Sequence, residues 1–157
     1  ILLLNAGHEA TVHSLGNTLK FCLEQGHRPD APAPFVEEAL RFDPPLHMFT
    51  RTAYEEVEVA GHTFRRGDEV GLLLAAANHD PITYPNPTEF DPTRAGPPQL
   101  AFGAGLHFCV GAPLARLEME IALPILFDRC PNLTLTQTPR YADIYHFHGL
   151  DRLLAST

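Results

Sequence analysis

Residues 102–111 read FGAGLHFCVG, a segment in which spaced glycines and two phenylalanines surround a single cysteine, Cys109. Glycines in such a run allow tight turns and close backbone approaches that a side chain would block. Pro113 follows, and proline is tolerated in the first turn of a helix because its missing N–H has no helical partner there. The residues after it carry apolar side chains at helical spacing, including Leu114, Leu117, Ile121 and Ile125. The sequence therefore predicts a cysteine-bearing loop over 102–111 that leads into a helix over 113–128.

A thiol at the start of a helix differs chemically from a thiol in a core. The unpaired N–H groups and the positive end of the helix dipole favour the thiolate, which is the form that binds a metal or acts as a nucleophile. A buried core cysteine is the alternative interpretation for an isolated cysteine. A hydrolase that uses Cys109 with His107 is disfavoured, because side chains two positions apart in a tight loop do not readily form a nucleophile–base pair.

An aromatic residue, spaced glycines, a basic residue and the cysteine, in that order, together resemble the haem-binding signature of the cytochrome P450 family. The resemblance implies that Cys109 is the axial thiolate ligand of a haem b iron, and that N–H groups of the loop donate to its sulfur. It implies that Phe102 packs near the porphyrin and that His107 and Arg51 bind the haem propionates, although a solvated strand arginine is the alternative for Arg51. The cofactor-binding residues implied in this way are Cys109, His107, Arg51, Phe102, Gly103 and Gly111, with Cys109 as the metal ligand.

The bulk properties of the chain limit its class. Its 157 residues, of which 45% are hydrophobic, suffice for about one domain with a core. The net charge of −8 argues against binding to nucleic acid or to an anionic membrane, since either needs a basic face. The three cysteines include no C-x-x-C pair and no signal peptide is indicated, so we expect a cytoplasmic protein without a disulfide framework. The chain opens with Ile1 inside an apolar helical pattern, and we expect it to be the later part of a longer protein.

Residues 1–23 are predicted to form a helix, because apolar side chains recur at about a 3.6-residue period. Within it, the run Ala6–Thr11 reads AGHEAT and resembles the oxygen-activating helix of the cytochrome P450 family, which crosses the haem and has a widened turn. A tolerated packing glycine and a solvated glutamate are the alternative interpretation. The resemblance implies that Glu9, with Thr11, delivers protons to bound dioxygen. The substrate-pocket residues that it implies are Asn5, Ala6, Leu46, Met48 and Phe49.

Ala10 departs from the pattern of that family, because most members have a threonine at this position. A methyl group cannot donate the hydrogen bond that the threonine supplies. Thr11 lies one residue further, about 100° around the helix, and cannot substitute unless the helix is locally widened. Two interpretations are left open: an impaired enzyme, or one in which a substrate hydroxyl or a bound water supplies the missing group.

Residues 35–42 are predicted to form a short helix that ends before Pro44, because a residue before proline leaves the helical region. Glu38 and Arg41 share one face of it at i,i+3 spacing. Most such pairs are weak surface pairs. The order of motifs resembles the E-x-x-R motif of the family, which implies a buried structural pair. Glu89 stands where many members have the third partner of this pair, and Arg94 is the candidate substitute.

Short elements are predicted between these motifs. They are an extended segment over 46–49, strands over 55–59 and 63–74 with turns at Gly61 and Gly67 and a buried run over 70–74, a short helix over 75–79, and a proline-rich meander over 80–98. Tyr84 and Phe90 supply apolar anchors, which predicts that the meander is ordered.

The end of the chain is predicted to be extended. Pro124 should kink or end the preceding helix, and strands are predicted over 133–135 and in a hairpin over 141–155. His146 and His148 alternate on one strand face, where a two-histidine metal site is the alternative to a plain polar strand.

The resemblance implies a mainly α fold with small β-sheets (α+β), the C-terminal portion of the cytochrome P450 fold beginning within the oxygen-activating helix, as one partial domain over 1–157. The function that it implies is a haem-thiolate monooxygenase that inserts one oxygen atom from O2 into a small, partly apolar organic substrate, here as an incomplete chain that we expect not to be competent alone. A non-catalytic haem-binding remnant or a truncated fragment of such an enzyme is the alternative. Electrons would come from a separate ferredoxin or flavoprotein, since the sequence has no nucleotide-binding glycine motif.

Overall fold

The computed structural model describes residues 2–144 and 147–157, and within them helices dominate over short strands. The helices are α1 (Leu2–Gln25), α2 (Pro32–Phe42), α3 (Leu74–Ala77) and α4 (Ala112–Arg129), with one 3₁₀ turn over Gly105–His107. The strands are β1 (Met48–Thr52), β2 (Val57–Val59), β3 (His62–Phe64), β4 (Glu69–Leu73), β5 (Thr134–Leu135), β6 (Arg140–Tyr141), β7 (Leu150–Arg152) and β8 (Ala155–Ser156). They pair antiparallel as β1–β4, β2–β3, β5–β8 and β6–β7. This is the mainly α architecture with small sheets that the sequence predicted. In the described ranges, no helix combines the length and the apolar character needed to cross a bilayer.

The core forms where α1, α2 and α4 pack together. One cluster of buried side chains joins α2 to α4 and another joins α1 to both. α2 begins three residues before the predicted start because Pro32 and Pro34 stand in its first turn, where proline is already set for helical geometry. The buried residues of the two clusters are Val36, Leu40, Ala101, Met119 and Leu123 in the first, and Cys22, Phe35 and Phe127 in the second.

α1 is a continuous α-helix, so the widened turn expected near Gly7 is not present in it. The Thr11 hydroxyl donates to the Gly7 carbonyl oxygen at 3.2 Å. Ser14 and Thr18 make the same bond to carbonyl oxygens four residues earlier. The short polar side chains are thus satisfied on the helix itself.

α4 is apolar on two faces, and the sequence pattern emphasised the face that is not in the core. Met119, Leu123 and Phe127 are buried, whereas the four apolar residues that predicted the helix are exposed, namely Leu114, Leu117, Ile121 and Ile125. The helix also continues through Pro124 to Arg129, so Pro124 does not end it. Proline has no N–H, and the carbonyl four residues earlier therefore lacks its helical donor.

The predicted buried run over 70–74 is wrong. β4 pairs only with β1, and Leu73, the last residue of β4, is 59% exposed. Leu74 is buried because it begins α3. A continuous apolar run indicates burial on both faces of a sheet, whereas this two-stranded ribbon leaves the side chains of β4 open to solvent.

Glu38 and Arg41 form a buried pair between α2 and the meander. Their side chains are 5% and 1% exposed, and the Arg41 guanidinium donates to the Glu38 carboxylate at 2.7 and 2.8 Å. The Glu38 carboxylate also accepts from the Asp91 N–H at 2.9 Å and from Arg94 Nε at 3.3 Å. Arg94 therefore occupies the position of the third partner. We call these three side chains, Glu38, Arg41 and Arg94, the clamp.

The arginines of the clamp donate hydrogen bonds to backbone carbonyl oxygens that a helix or a sheet would otherwise pair. Residues 80–98 contain turns but no helix or strand, as predicted for the meander. Arg41 donates to the carbonyl oxygens of Asn78, Pro87 and Glu89, at 2.9, 3.0 and 3.2 Å. Tyr84 is buried and donates to the Pro98 carbonyl oxygen at 3.1 Å. Hydrogen bonds of this kind replace secondary structure in holding an irregular segment.

The C-terminal strands are pinned to the middle of α1. β6 and β7 form the predicted hairpin pair, but β8 leaves it and pairs with β5. Asn17 Nδ2 donates to the His148 carbonyl oxygen at 2.8 Å. At Gly149 a β-carbon would overlap the His13 ring, so a glycine is required there. His146 lies outside the described residues.

We expect Glu38→Ala to lower the free energy of unfolding by about 3–5 kcal/mol, because Arg41 would remain as an uncompensated buried charge. Urea denaturation measures this difference. The control is Glu24→Ala, which removes the partner of Lys20 in a more exposed i,i+4 pair with an N–O distance of 2.8 Å. It should change stability by less than about 1 kcal/mol. Equal effects of the two substitutions would contradict a structural role for Glu38.

Candidate functional site

The segment 102–111 folds as a tight loop that presents Cys109. Gly103 and Gly105 adopt φ of 69° and 67°, the left-handed region that glycine enters without steric penalty. Gly111 has φ of −84°, so its backbone does not require glycine. The Cys109 N–H donates to the Phe102 carbonyl oxygen at 3.0 Å and closes the loop. Backbone geometry at two glycines, together with this bond, fixes where the cysteine emerges.

Cys109 lies three residues before α4 and its side chain is exposed. The Ala112 N–H donates to the Cys109 carbonyl oxygen at 3.3 Å. Among the described residues no hydrogen bond from an N–H to Cys109 Sγ is present, and donation from the loop amides to the sulfur stays a prediction. The cysteine carbonyl takes the first amide of the helix, and the sulfur projects outward.

Exposed apolar residues flank Cys109 in the loop. Leu106 is 96% exposed, Val110 is 89% exposed, and Phe108 is about half exposed. Exposed apolar side chains in a contiguous group mark a surface that binds a ligand or another surface. A soft sulfur donor among apolar side chains fits a large apolar group that carries a transition metal. The residues present therefore fit a haem.

A polar network missed by the sequence reasoning supports the loop from below. Gln99 Oε1 accepts from the Ala101 N–H at 2.6 Å, and its Nε2 donates to Glu37 Oε2 at 3.3 Å. Arg116 from α4 also binds Glu37, with Nη2 3.2 Å from Oε2. The Arg116 guanidinium stacks 4.6 Å above the Phe102 ring. Glu37 thus links α2 to Gln99, which precedes the loop, and to Arg116 on α4, which follows it. Its position beside Glu38 was the only sequence signal, and it indicated no partner.

The two predicted propionate-binding residues stand at exposed positions. Arg51 lies on β1 opposite Val70 of β4, and its Nη1 donates to the Thr50 carbonyl oxygen at 2.9 Å. His107 ends the 3₁₀ turn and is exposed. Both side chains are open to solvent and can reach a carboxylate outside the protein surface.

The predicted oxygen-side and pocket residues lie on two other elements. Asn5, Ala6 and Glu9 are exposed on α1, and Thr11 is half-buried. In 2–144 and 147–157, no hydrogen bond joins Glu9 or Thr11 to the cysteine loop. The three predicted pocket residues in or just before β1 are partly or largely exposed, namely Leu46, Met48 and Phe49. Met48 packs across Gly71 on β4, where its sulfur would be 3.1 Å from a β-carbon.

The other two cysteines differ from Cys109 in burial. Cys22 is fully buried in the core, and this burial raises the pKa of its thiol to about 12. Cys130 is half-buried at the C-cap of α4. Of the three cysteines, Cys109 alone is exposed.

Comparison with known proteins identifies relatives along nearly the whole chain. The family model described as Cytochrome P450 matches residues 33–143. Biotin biosynthesis cytochrome P450 of Bacillus subtilis is 42% identical over 161 residues, a match that covers 98% of this chain and 41% of that protein. 6-Deoxyerythronolide B hydroxylase of Saccharopolyspora erythraea is 42% identical over 142 residues, covering 86% of this chain and 35% of that protein.

Solved structures agree with these sequence matches. The crystal structure of P450BioI in complex with hexadec-9Z-enoic acid ligated acyl carrier protein has a TM-score of 0.93 to this chain at 41% identity. The match covers 99% of this chain and 42% of that one. The present chain thus spans about two fifths of the length of these relatives.

We expect Gln99→Leu to lower the free energy of unfolding by about 1–3 kcal/mol, because the Ala101 N–H would lose its acceptor in a buried position. Urea denaturation measures the loss, and amide hydrogen exchange at Ala101 should accelerate with it. Gln137→Leu, at an exposed position, is the control and should stay within about 0.5 kcal/mol of the parent. Unchanged exchange at Ala101 in the Gln99 variant would contradict the support network.

Proposed function

This chain belongs to the cytochrome P450 family, and on that basis we propose that it forms the haem-thiolate portion of a monooxygenase, with Cys109 as the ligand of the iron. The observation that carries the proposal is the exposed thiol, held by a glycine-bent loop at the start of α4 and flanked by exposed apolar residues. A core cysteine would be buried like Cys22. The matched family segment includes Cys109.

When bound, a haem with a thiolate ligand supplies the activation of dioxygen, and the protein positions the reactants. Cys109 would hold the iron, and the exposed apolar side chains of the loop would contact the porphyrin. Phe102, over whose ring the Arg116 guanidinium lies, would pack near it. Arg51 and His107 would bind the propionates, since a guanidinium recognises carboxylate through parallel hydrogen bonds. Gly103 and Gly111 keep the backbone clear of side chains next to the cysteine.

In this proposal α1 would serve the oxygen-binding side. Glu9 would deliver protons there, together with the Thr11 hydroxyl two residues further along the helix. That hydroxyl donates to the Gly7 carbonyl oxygen, so it must turn away from the helix to take part in a relay. Asn5 and Ala6 face the substrate from α1.

The substrate class is a small, partly apolar organic molecule. Leu46, Met48 and Phe49 offer apolar surface for it in or just before β1. The relatives bear the names of a biotin-biosynthesis protein and of a 6-deoxyerythronolide B hydroxylase, so they differ in substrate. A separate ferredoxin or flavoprotein supplies the electrons.

We expect the reduced chain, loaded with haem and treated with carbon monoxide, to show the red-shifted absorption band of thiolate ligation. Cys109→Ala should abolish this band, because no other exposed cysteine is available. The matched control is Cys130→Ala, which should leave the band unchanged. A thiolate band that survives in the Cys109 variant would show that another residue binds the iron. Turnover with a redox partner then distinguishes a monooxygenase from a non-catalytic haem-binding remnant.

We expect Ala10→Thr to increase the fraction of reducing equivalents that reach product instead of peroxide. A hydroxyl at this position can donate the hydrogen bond that a methyl group cannot. The measurement compares product, peroxide and reductant consumed in the haem-loaded protein with an electron donor. Thr11→Ala is the companion variant and should have the smaller effect. Unchanged coupling in the Ala10 variant, with a large loss in the Thr11 variant, would assign the relay to Thr11.

A further inference from the structure

We propose that Asp43, His47 and His148 form a binding site for a divalent transition-metal ion, separate from the cysteine loop and independent of haem. Asp43 is the C-cap residue of α2, His47 precedes β1, and His148 precedes β7. One ligand atom from each residue lies within 4.8 Å of the other two. The fold thus gathers two imidazoles and a carboxylate from two distant segments, the connection between α2 and β1 and the residues before β7.

The spacing of two of these donors already suits a metal. His148 Nε2 lies 3.2 Å from Asp43 Oδ1. In a tetrahedral zinc site, with bonds of about 2.0 Å, neighbouring donor atoms lie about 3.3 Å apart. A metal ion can therefore bind both atoms without a movement of either backbone.

Neighbouring groups hold these two donors in place from outside. The Tyr141 hydroxyl donates to Asp43 Oδ2 at 2.5 Å, which leaves Oδ1 for the ion. The His148 N–H donates to the Pro45 carbonyl oxygen at 2.7 Å, and its own carbonyl oxygen accepts from the fully buried Asn17 at 2.8 Å. The His148 ring also stacks on Tyr141, with centroids 3.9 Å apart. Hydrogen bonds that orient metal ligands in this way are typical of protein metal sites.

The third donor, His47, is the ligand whose side chain must reorient to bind the ion. Its ring stacks on His148 with centroids 4.1 Å apart and planes at 28°. Imidazole nitrogens bind a metal in the ring plane, so the exposed His47 ring turns out of this stack when it coordinates the ion. An imidazole binds a metal ion in its neutral form. Two imidazoles and a carboxylate are a donor set used for zinc and for other late first-row metals.

The sequence alone suggested a different pair. His146 and His148 alternate along the strand pattern, but His146 lies outside the described residues, and the histidine that meets His148 comes from position 47.

The test is calorimetric titration of Zn²⁺ into the full chain in a Cys109→Ser, Cys130→Ser background, so that the two accessible thiols do not compete. We expect one Zn²⁺ per chain. His47→Gln should weaken binding at least tenfold, and because His47 is exposed this variant should keep the fold. Tyr141→Phe, which frees Asp43 Oδ2, should weaken binding by about 10- to 100-fold.

His62→Gln is the matched control, since His62 is an exposed histidine on β3. The affinity of the His62→Gln variant for Zn²⁺ should equal that of the parent. Parental affinity in His47→Gln, or the absence of one-to-one binding in the parent, would overturn the proposal. Circular dichroism of each variant verifies that a lost affinity does not reflect lost structure.

Discussion

The rest of the structure depends on the hydrogen bonds of the buried Arg41 guanidinium. An irregular segment of the length of residues 80–98 has backbone groups that no ladder satisfies, and they must be paired elsewhere. Arg41 donates to two carbonyl oxygens of this segment, those of Pro87 and Glu89, and to that of Asn78 just before it, and Glu38 balances the charge. Replacement of such a pair by apolar side chains can be neutral for stability, but it would leave the carbonyl oxygens unpaired. Here the ion pair specifies the path of the chain.

The same helix also positions the cysteine loop. Glu37 and Glu38 are adjacent on α2, yet they serve different segments. Glu38 binds the meander through Asp91 and Arg94, whereas Glu37 binds Gln99 and Arg116 at the base of the loop. The exposed thiol of Cys109 thus depends on α2 through two independent sets of contacts, one before the loop and one beneath it.

Local patterns made the main elements and the cysteine loop predictable. Helical periodicity, the prolines at 44 and 45 and the glycine spacing near Cys109 each act over a few residues, and the structure has a helix, a stop and a tight loop at these places. Periodicity could not decide which face of α4 is buried, because both faces are apolar. It also could not show that the side chains of β4 are exposed to solvent, since the burial of a strand depends on which elements pack against it.

Contacts between distant segments were the part that the sequence could not supply. Gln99 and Glu37 are ordinary polar residues until folding brings them together, and the histidines at 47 and 148 share no local pattern. Arg94 is the exception. Glu89 stands where many family members have the third partner of the Glu38–Arg41 pair, and this departure pointed to Arg94 as a nearby substitute. The predicted hydrogen bonds to the sulfur of Cys109 are not found among the described residues, where Cys109 lies three residues before α4.

The close packing of His13 on Gly149 has a consequence for how this sequence can change over generations. The space that a larger residue at 149 needs is filled by the imidazole at 13, so the two positions are not independent. A smaller side chain at 13 must arise first, after which position 149 becomes open to substitution. The reverse order passes through a clashing intermediate. The middle of α1 and the C-terminal hairpin, far apart in the gene, are therefore bound by an epistatic constraint with a preferred direction.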